Sequence, residues 1–397
     1  MIDYDVAIAG AGPVGTVAAY ALAKAGLRVV VLEAAAGCAE DLRASTFHPS
    51  SLEMLDELGV LDELLPQGLV APVYQYRIRQ TDEVLGFDLT EIGDVTRFPF
   101  RLQAEQWKLA RLLVAKLEAM PNADVRFSNR VVHFAQDDGG VTVAVETQIA
   151  IERLRARYLI ACDGANSIVR KWLGVQFEGF TYPEKFLCLS TDWPLEEHFE
   201  DLAPVNYVAD PDEWRVLLRV PTLWRVLVPA SETISDDELR SDAVKDAVFD
   251  RLIGRGPEVS TAHRTIYRVH QRVATRYDHG RVLLIGDAAH LNNPLGGLGM
   301  NSGIHDAMNL TEKLRAILLE GGDAGELLPR FDRQRRTVMH GFVQAQTIRN
   351  KAMMESSTSK EDYYDEMRAH CHDPDKRRAY LLRQSMFTSL ADAAAIQ

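Results

Sequence analysis

The sequence predicts an α/β protein in which a discontinuous nucleotide-binding domain is interrupted by an inserted antiparallel sheet. Three observations carry this expectation. A buried strand runs straight into Gly10-Ala-Gly12-Pro-Val-Gly15 and then into a helix of small residues. A second buried strand, far downstream, ends in Gly286-Asp287 and a glycine-dense turn. Between the two, the patterning changes from the period of helices to the alternation of strands.

Residues 4–9 read as a strand, 14–25 as a helix stopped by Gly26, and 28–32 as a strand ending at Glu33. Glycines in such a turn let the backbone approach a diphosphate, and the helix start adds positive potential. Glu33 lies close to the spacing of about 20 residues expected of an acid that holds a ribose. It accepts ribose hydroxyls and disfavours a 2′-phosphate, which points to the adenosine half of FAD or NAD.

Helical spacing continues over 50–65, and 73–87 reads as a hairpin. Residues 106–120 form an amphipathic helix with Leu109, Leu112, Leu113 and Leu117 inward, followed by strands at 129–134, 141–146 and 157–161. Cys162-Asp163-Gly164 then leads into a short helix, 168–173. From 179 to 276 strands dominate (205–208, 214–220, 224–229), with one helical stretch at 236–253. A buried strand returns at 282–285 and a helix begins near Met300. Helices follow Pro329, with a break expected in the charged stretch 356–366. The expected division is 1–72, 98–178 and 276–345 for the nucleotide-binding domain, 73–97 and 179–275 for the inserted sheet, and 346–397 for a C-terminal helical segment.

The 397 residues are 47% hydrophobic and 25% charged, a soluble globular composition. A formal net charge of −13 without a basic stripe argues against nucleic acid. Arg333-Gln-Arg335-Arg336 reads as a solvated helix face. Cys38, Cys162, Cys188 and Cys371 form no CxxC pair, which fits a reducing compartment. His370-Cys371-His372 lacks a second ligand cluster and reads as structural rather than metal-binding. The N-terminus has no basic region of a signal peptide, and no apolar run reaches the roughly 18 residues of a membrane span. A cytoplasmic protein with no membrane partner is expected, with room for a homodimer.

The segment from Arg281 to Asp306 is the most informative. Asp287 at a strand end suits sugar-type hydroxyls, and the turn Asn292-Asn293-Pro294-Leu-Gly-Gly297-Leu298-Gly299-Met300-Asn301 brings backbone N–H groups to a helix start. A ligand with a polyol chain and an electron-rich ring fits these parts, and a flavin is such a ligand.

Taken together and in this order, Gly10/Gly12/Gly15, Asp163-Gly164 and Gly286-Asp287 resemble the aromatic-hydroxylase family of FAD monooxygenases, the para-hydroxybenzoate hydroxylase-like class A flavoproteins. The resemblance covers nearly all of residues 1–345. It implies a Rossmann-type FAD-binding domain, bound FAD, NAD(P)H as a transient reductant, and a small aromatic substrate, phenolic or N-heteroaromatic, hydroxylated with O₂ through a flavin C4a-hydroperoxide. It also implies residue roles. Glu33 would hold the adenosine ribose, Arg43 the pyrophosphate or ribityl region, and Gln103 the ribityl chain. Val131 would offer backbone to the adenine. Asp163 would serve the pyrophosphate region and Asp287 a ribityl hydroxyl. Pro294 and the turn Gly297, Leu298, Gly299, Met300 and Asn301 would line the isoalloxazine. Leu298 stands where a glutamine is usual, and Asn292-Asn293 where a second proline is common.

Two rival readings stand beside this one: a flavin halogenase or prenyl-reductase-like enzyme on the same fold, and a non-catalytic FAD-binding protein. Flavin halogenases carry a Trp-x-Trp-x-Ile-Pro segment that does not occur here. No residue is singled out as the catalytic base. His290, His48 and His305 read as structural. Arg215, Arg219 and Arg225 read as a solvent-facing strand surface, with an anionic-substrate contact as the alternative. Tyr74, Tyr76, Tyr207 and Trp214 read as sheet packing, with an aromatic pocket as the alternative.

Overall fold

A computed structural model describes residues 1–40, 44–210, 213–355 and 360–397. Its first sheet grows around the strand Tyr4–Ala9, whose Val6 to Ala9 are wholly buried and pair in parallel with Ile151–Ala161 on one side and Val29–Leu32 on the other. Val282–Leu284 and Ala123–Arg126 extend the parallel array at its two sides. The helices Pro13–Lys24, Gln106–Glu118 and Leu298–Leu319 cover it, sharing one apolar core with the strands. Strands buried on both faces read as continuous apolar runs, as these do.

The second sheet runs in the order His290–Leu291, His263–Ala274, Phe177–Thr191, Trp224–Ala230, Arg215–Arg219, Val205–Ala209, Val73–Ile78, Glu83–Asp88. The hairpin at 73–87 thus joins strands more than a hundred residues downstream. It does so through a parallel pairing of Val205–Ala209 with Val73–Ile78, so the sheet expected to be antiparallel contains one parallel pair. Two long strands, Phe177–Thr191 and His263–Ala274, form its spine and were not expected from the sequence. Both faces are covered. Trp224, Val226 and Val228 pack toward the Asp242–Ile253 helix, whereas Tyr74, Tyr76 and Phe87 pack against Tyr363, Met367, Tyr380 and Leu381 of the C-terminal helices.

Several local expectations need correction. The helical region 50–65 is broken: Pro49–Glu57 stops and Leu61–Leu64 restarts after Gly59, which adopts φ 74°. Leu112 is only half-buried. Helix resumes at Ala324, ahead of Pro329, which sits inside Ala324–Val338. Of the expected break, residues 360–366 belong to the helix Lys360–His372, and 356–359 lie outside the described residues. Arg335 is not solvated. It is 1% exposed and donates to Asp306 Oδ1 at 2.7 Å. His370 stacks on Tyr380, and Cys371 Sγ contacts the Gly86 carbonyl. No helix among the described residues is long and apolar enough to cross a membrane.

A candidate dinucleotide cleft and its adjoining chamber

The glycine turn is shaped by close backbone approach. A Cβ on Gly15 would lie 2.1 Å from the Gly10 carbonyl oxygen, and one on Gly10 would lie 2.4 Å from that of Cys162. Only glycine lets the helix start, the first strand end and the third strand end meet here. Gly12 differs: a Cβ there meets no atom within 4 Å, because the position faces open space. That space is a cleft of about 310 Å³ lined by Gly12, Gly15, Glu33, Trp107, Asp287 and Met300, among others.

Glu33 is fixed at the mouth of this cleft. Its two carboxylate oxygens accept from the N–H groups of Ala11 and Ala35, each at 2.8 Å, and keep further lone pairs for a ligand. The helix Pro13–Lys24 has no side-chain cap at Gly12, so its first N–H groups and dipole face the cleft. Asp163 Oδ2 caps the helix Ile168–Trp172 through the N–H groups of Ile168 and Val169, while its Oδ1 is buried without a protein partner.

Ala44 and Met300 line both this cleft and a second chamber of about 230 Å³. The chamber lies between the second sheet (Cys188, Tyr207, Val216, Arg225, Tyr267) and the turn Asn292 to Met300. That turn is held from several sides. Asn293 is fully buried and bonds Gln271 Oε1 and the Thr347 carbonyl. His48 Nε2 donates to the Gly296 carbonyl at 2.8 Å, and Asn301 Nδ2 donates to the carbonyls of Gly297 and Thr46. Burial, reinforced by the charge of Arg101, pulls the His48 pKa down to about 3, so its ring is neutral and Nε2 carries the proton. Gly297 precedes the helix Leu298–Leu319 in the left-handed region (φ 68°), again without a side-chain cap. Asn293 thus anchors the turn from the position where the family resemblance leads one to expect proline.

Of the residues singled out from sequence, Gly12, Gly15, Glu33, Asp287 and Met300 meet in the cleft, and Pro294, Gly297, Gly299 and Met300 meet in the chamber. Gly10, Gln103, Val131, Asp163, Leu298 and Asn301 line neither. Gln103 lies beneath the chamber, accepting from Thr46 Oγ1 at 2.9 Å with its Nε2 buried and unpartnered. Leu298 belongs to the core of the first sheet. Val131 is buried in a strand that, among the described residues, pairs only with Gly140–Glu146. Arg43 lies outside the described residues.

His290 Nε2 bonds Asp306 Oδ2 at 2.6 Å, and Asp306 also accepts from Arg335 and from the Gly286 N–H. Burial would raise the Asp306 pKa, but His290 and Arg335 overcome it and hold the carboxyl near 2. This buried cluster ties the Gly-Asp turn to two helices, in keeping with the structural reading of His290.

The arginine reading is overturned in part. Arg215 and Arg225 are 1% and 4% exposed, not solvent-facing. Arg215 pairs with Asp210 and Glu213, whereas Arg225 lines the chamber. Of the four aromatics, Tyr207 lines the chamber, and Tyr74, Tyr76 and Trp214 are core. Ser45, Cys188 and Tyr267 also line it and were not singled out. A basic residue set between Trp224 and Val226 in a strand buried on both faces was the available signal.

A cleft with a fixed ribose-type acid and uncapped helix starts, sharing Ala44 and Met300 with a mostly apolar chamber, fits a dinucleotide-dependent oxidoreductase. The orphaned Asp163 Oδ1 and Gln103 Nε2, and the space at Gly12, fit an extended flavin nucleotide rather than a filled core. The chain belongs to the FAD-binding domain family, whose model matches residues 3–346. It is 34% identical to the para-nitrophenol 4-monooxygenase of Pseudomonas sp. (strain WBC-3), over 89% of this chain and 87% of that one. It is 32% identical to the 6-hydroxy-3-succinoylpyridine 3-monooxygenase of Pseudomonas putida (strain DSM 28022 / S16), over 94% and 95%. The crystal structure of p-nitrophenol 4-monooxygenase from Pseudomonas putida DLL-E4 superposes with a TM-score of 0.91 at 32% identity, covering 98% of each chain. This is an FAD-dependent aromatic monooxygenase, a class that uses NAD(P)H as reductant.

Proposed function

We propose that the chain hydroxylates a one-ring phenol or hydroxylated N-heteroaromatic held in the chamber. The observation carrying this is the chamber itself: about 230 Å³ between the second sheet and the Pro294–Met300 turn, joined to the cleft at Ala44 and Met300. About 150 Å³ suffices for benzene, so the space accommodates a single substituted ring. Two relatives bear the names of one-ring substrates, a nitrophenol and a hydroxypyridine.

When bound, FAD supplies the redox and oxygen chemistry, drawing electrons from NAD(P)H and one oxygen atom from O₂. The residues do the rest. Gly12, Gly15 and the start of the Pro13–Lys24 helix would take the pyrophosphate, with Arg43 and Asp163 near it. Glu33 would hold the adenosine ribose, Val131 the adenine edge, and Gln103 and Asp287 the ribityl hydroxyls. Pro294 and Gly297 to Asn301 would face the isoalloxazine, where the helix N-terminus stabilises negative charge. The apolar chamber walls, Val216, Leu227 and Leu295 among them, would exclude water from the reacting ring. In this reading 1–72, 98–178 and 276–345 bind the cofactor, 73–97 and 179–275 the substrate, and 346–397 is a helical cover. Cytoplasmic location, and a homodimer if one forms, belong to the same reading.

The test is oxidation of NADH and NADPH by the yellow, FAD-loaded protein against a panel of phenols and hydroxypyridines, with product mass. Ring-stimulated oxidation and a product heavier by one oxygen atom are expected. FAD retention with neither effect across the panel rejects the proposal.

A further inference from the structure

The chamber is lined by basic side chains in a chain that is acidic as a whole. The chain has a formal net charge of −13, yet the described residues lining the chamber include Arg225 and Arg268 and no carboxylate. Arg268 is exposed and pairs with Asp236 at 3.8 Å, and the Glu105 carboxylate acts on Arg225 from outside the lining. Arg225 lies on the strand Trp224–Ala230. Its alternate neighbours Trp224 and Val226 belong to the core on the opposite face, so period-2 alternation turns Arg225 and Leu227 toward the chamber. Its guanidinium is oriented: Nη1 donates to Ser45 Oγ at 3.0 Å and Nη2 to Tyr267 Oη at 2.9 Å, and both hydroxyl residues line the chamber. A third lining hydroxyl, that of Tyr207, accepts at 3.5 Å from a second buried guanidinium, Arg101. Arg101 is 4.0 Å from the Tyr74 ring centroid.

A buried guanidinium in an apolar wall attracts an anion with less screening than one in bulk water, and charge-assisted N–H donors suit an aromatic oxyanion. Ionised rings are also the more reactive toward electrophilic oxygen. We infer that Arg225 is a specificity-determining residue that binds the anionic oxygen of the aromatic substrate, selecting the ionised ring over its neutral form. The phenolic O–H bond breaks, its proton passes to solvent, and the electron pair stays on the oxygen that faces Arg225, Tyr267 and Ser45. This rests on the hydroxylase reading above and adds the charge state and the residue that reads it.

The test uses FAD-loaded protein titrated with 4-nitrophenol, whose ionised form alone absorbs strongly in the visible, and with 4-nitroanisole, its neutral counterpart. The wild type is expected to bind the phenolate at least about tenfold more tightly than the anisole and to lower the pKa of bound nitrophenol by about one unit, the equivalent of that ratio. Arg225→Met should lose the preference while keeping its FAD and its anisole affinity, and Arg225→Lys should recover part of it. Equal binding of both ligands by the wild type, or an undiminished preference in Arg225→Met, overturns the anchor. The hydroxylase reading then stands if ring-stimulated NAD(P)H oxidation persists. A wild type that binds neither ligand and oxidises NAD(P)H with no ring overturns both. Should Arg225→Met fail to fold, the wild-type spectrum still decides: nitrophenol that binds without a lowered pKa overturns the anchor.

Discussion

His48 and His305 are buried imidazoles whose neutrality ties stability to pH. Burial first, and then the positive charge of Arg101 for His48 and of Arg335 for His305, pulls each pKa from 6.5 to about 3. The folded state therefore refuses a proton that the unfolded chain accepts between those values. Stability is full above pH 6.5 and is lost as pH falls toward 3, at about 1.4 kcal/mol per pH unit for each such histidine. His305 Nε2 meets the Ser50 and Ser51 hydroxyls, so His305→Gln keeps a polar group in place while removing the titration. Urea unfolding from pH 7 down to pH 4 should show a slope shallower by about 1.4 kcal/mol per pH unit in that variant than in the wild type. Parallel curves would mean that His305 titrates normally. Carboxylates also contribute to acid unfolding, but they cancel in the difference.

At the scale of elements, the glycine turn separates cofactor binding from folding. Gly15→Ala forces a Cβ to within 2.1 Å of backbone, so the Pro13–Lys24 helix must shift, and both stability and FAD retention should fall. Gly12→Ala adds a methyl where no protein atom lies within 4 Å. The melting temperature of FAD-free protein should hold within about 2 °C, since about 1 kcal/mol moves a larger protein by 2–4 °C. FAD affinity should drop tenfold or more, measured by flavin fluorescence. Unchanged affinity would place the pyrophosphate elsewhere. This unit was legible in the sequence because strand, turn and helix each signal locally: Val6 to Ala9 are apolar without interruption, and Glu33 follows at the expected distance. The second sheet was less legible. Phe177–Thr191 carries Gly179 and Pro183, residue types that weaken a strand signal, and its register against His263–Ala274 does shift between Thr181 and Lys185. Arg215 and Arg225 were read as outward because alternation implies one wet face. Helices and the chamber cover both faces, a tertiary fact that no local period records.

At the scale of the whole molecule, the C-terminal helices join the two sheets. Phe387–Ala395 packs against Ala324–Val338, where Gln334 Nε2 donates to the Ile396 carbonyl at 2.9 Å. Lys360–His372 and Pro374–Gln384 lie on the hairpin of the second sheet. Two kinds of contact hold them there. Arg378 with Asp94 is an ion pair at the surface, where solvent screens the attraction and side-chain entropy opposes it, whereas Arg368 holds Glu83 in a forked, part-buried pair. Tyr380 is 8% exposed, 5.0 Å from the Phe87 ring, and its hydroxyl lies 3.0 Å from that of Tyr76. Burial decides between the two. Tyr380→Ala opens a cavity and leaves the Tyr76 hydroxyl without this partner, a loss of about 3–5 kcal/mol for an aromatic deletion. Tyr380→Phe keeps the ring and should cost only about 1 kcal/mol. Arg378→Ala should leave the urea midpoint unchanged. The three variants, compared in urea at neutral pH, should rank in that order. A midpoint that falls as far in Arg378→Ala as in Tyr380→Ala would mean that charge, not apolar burial, seats the helices on the sheet.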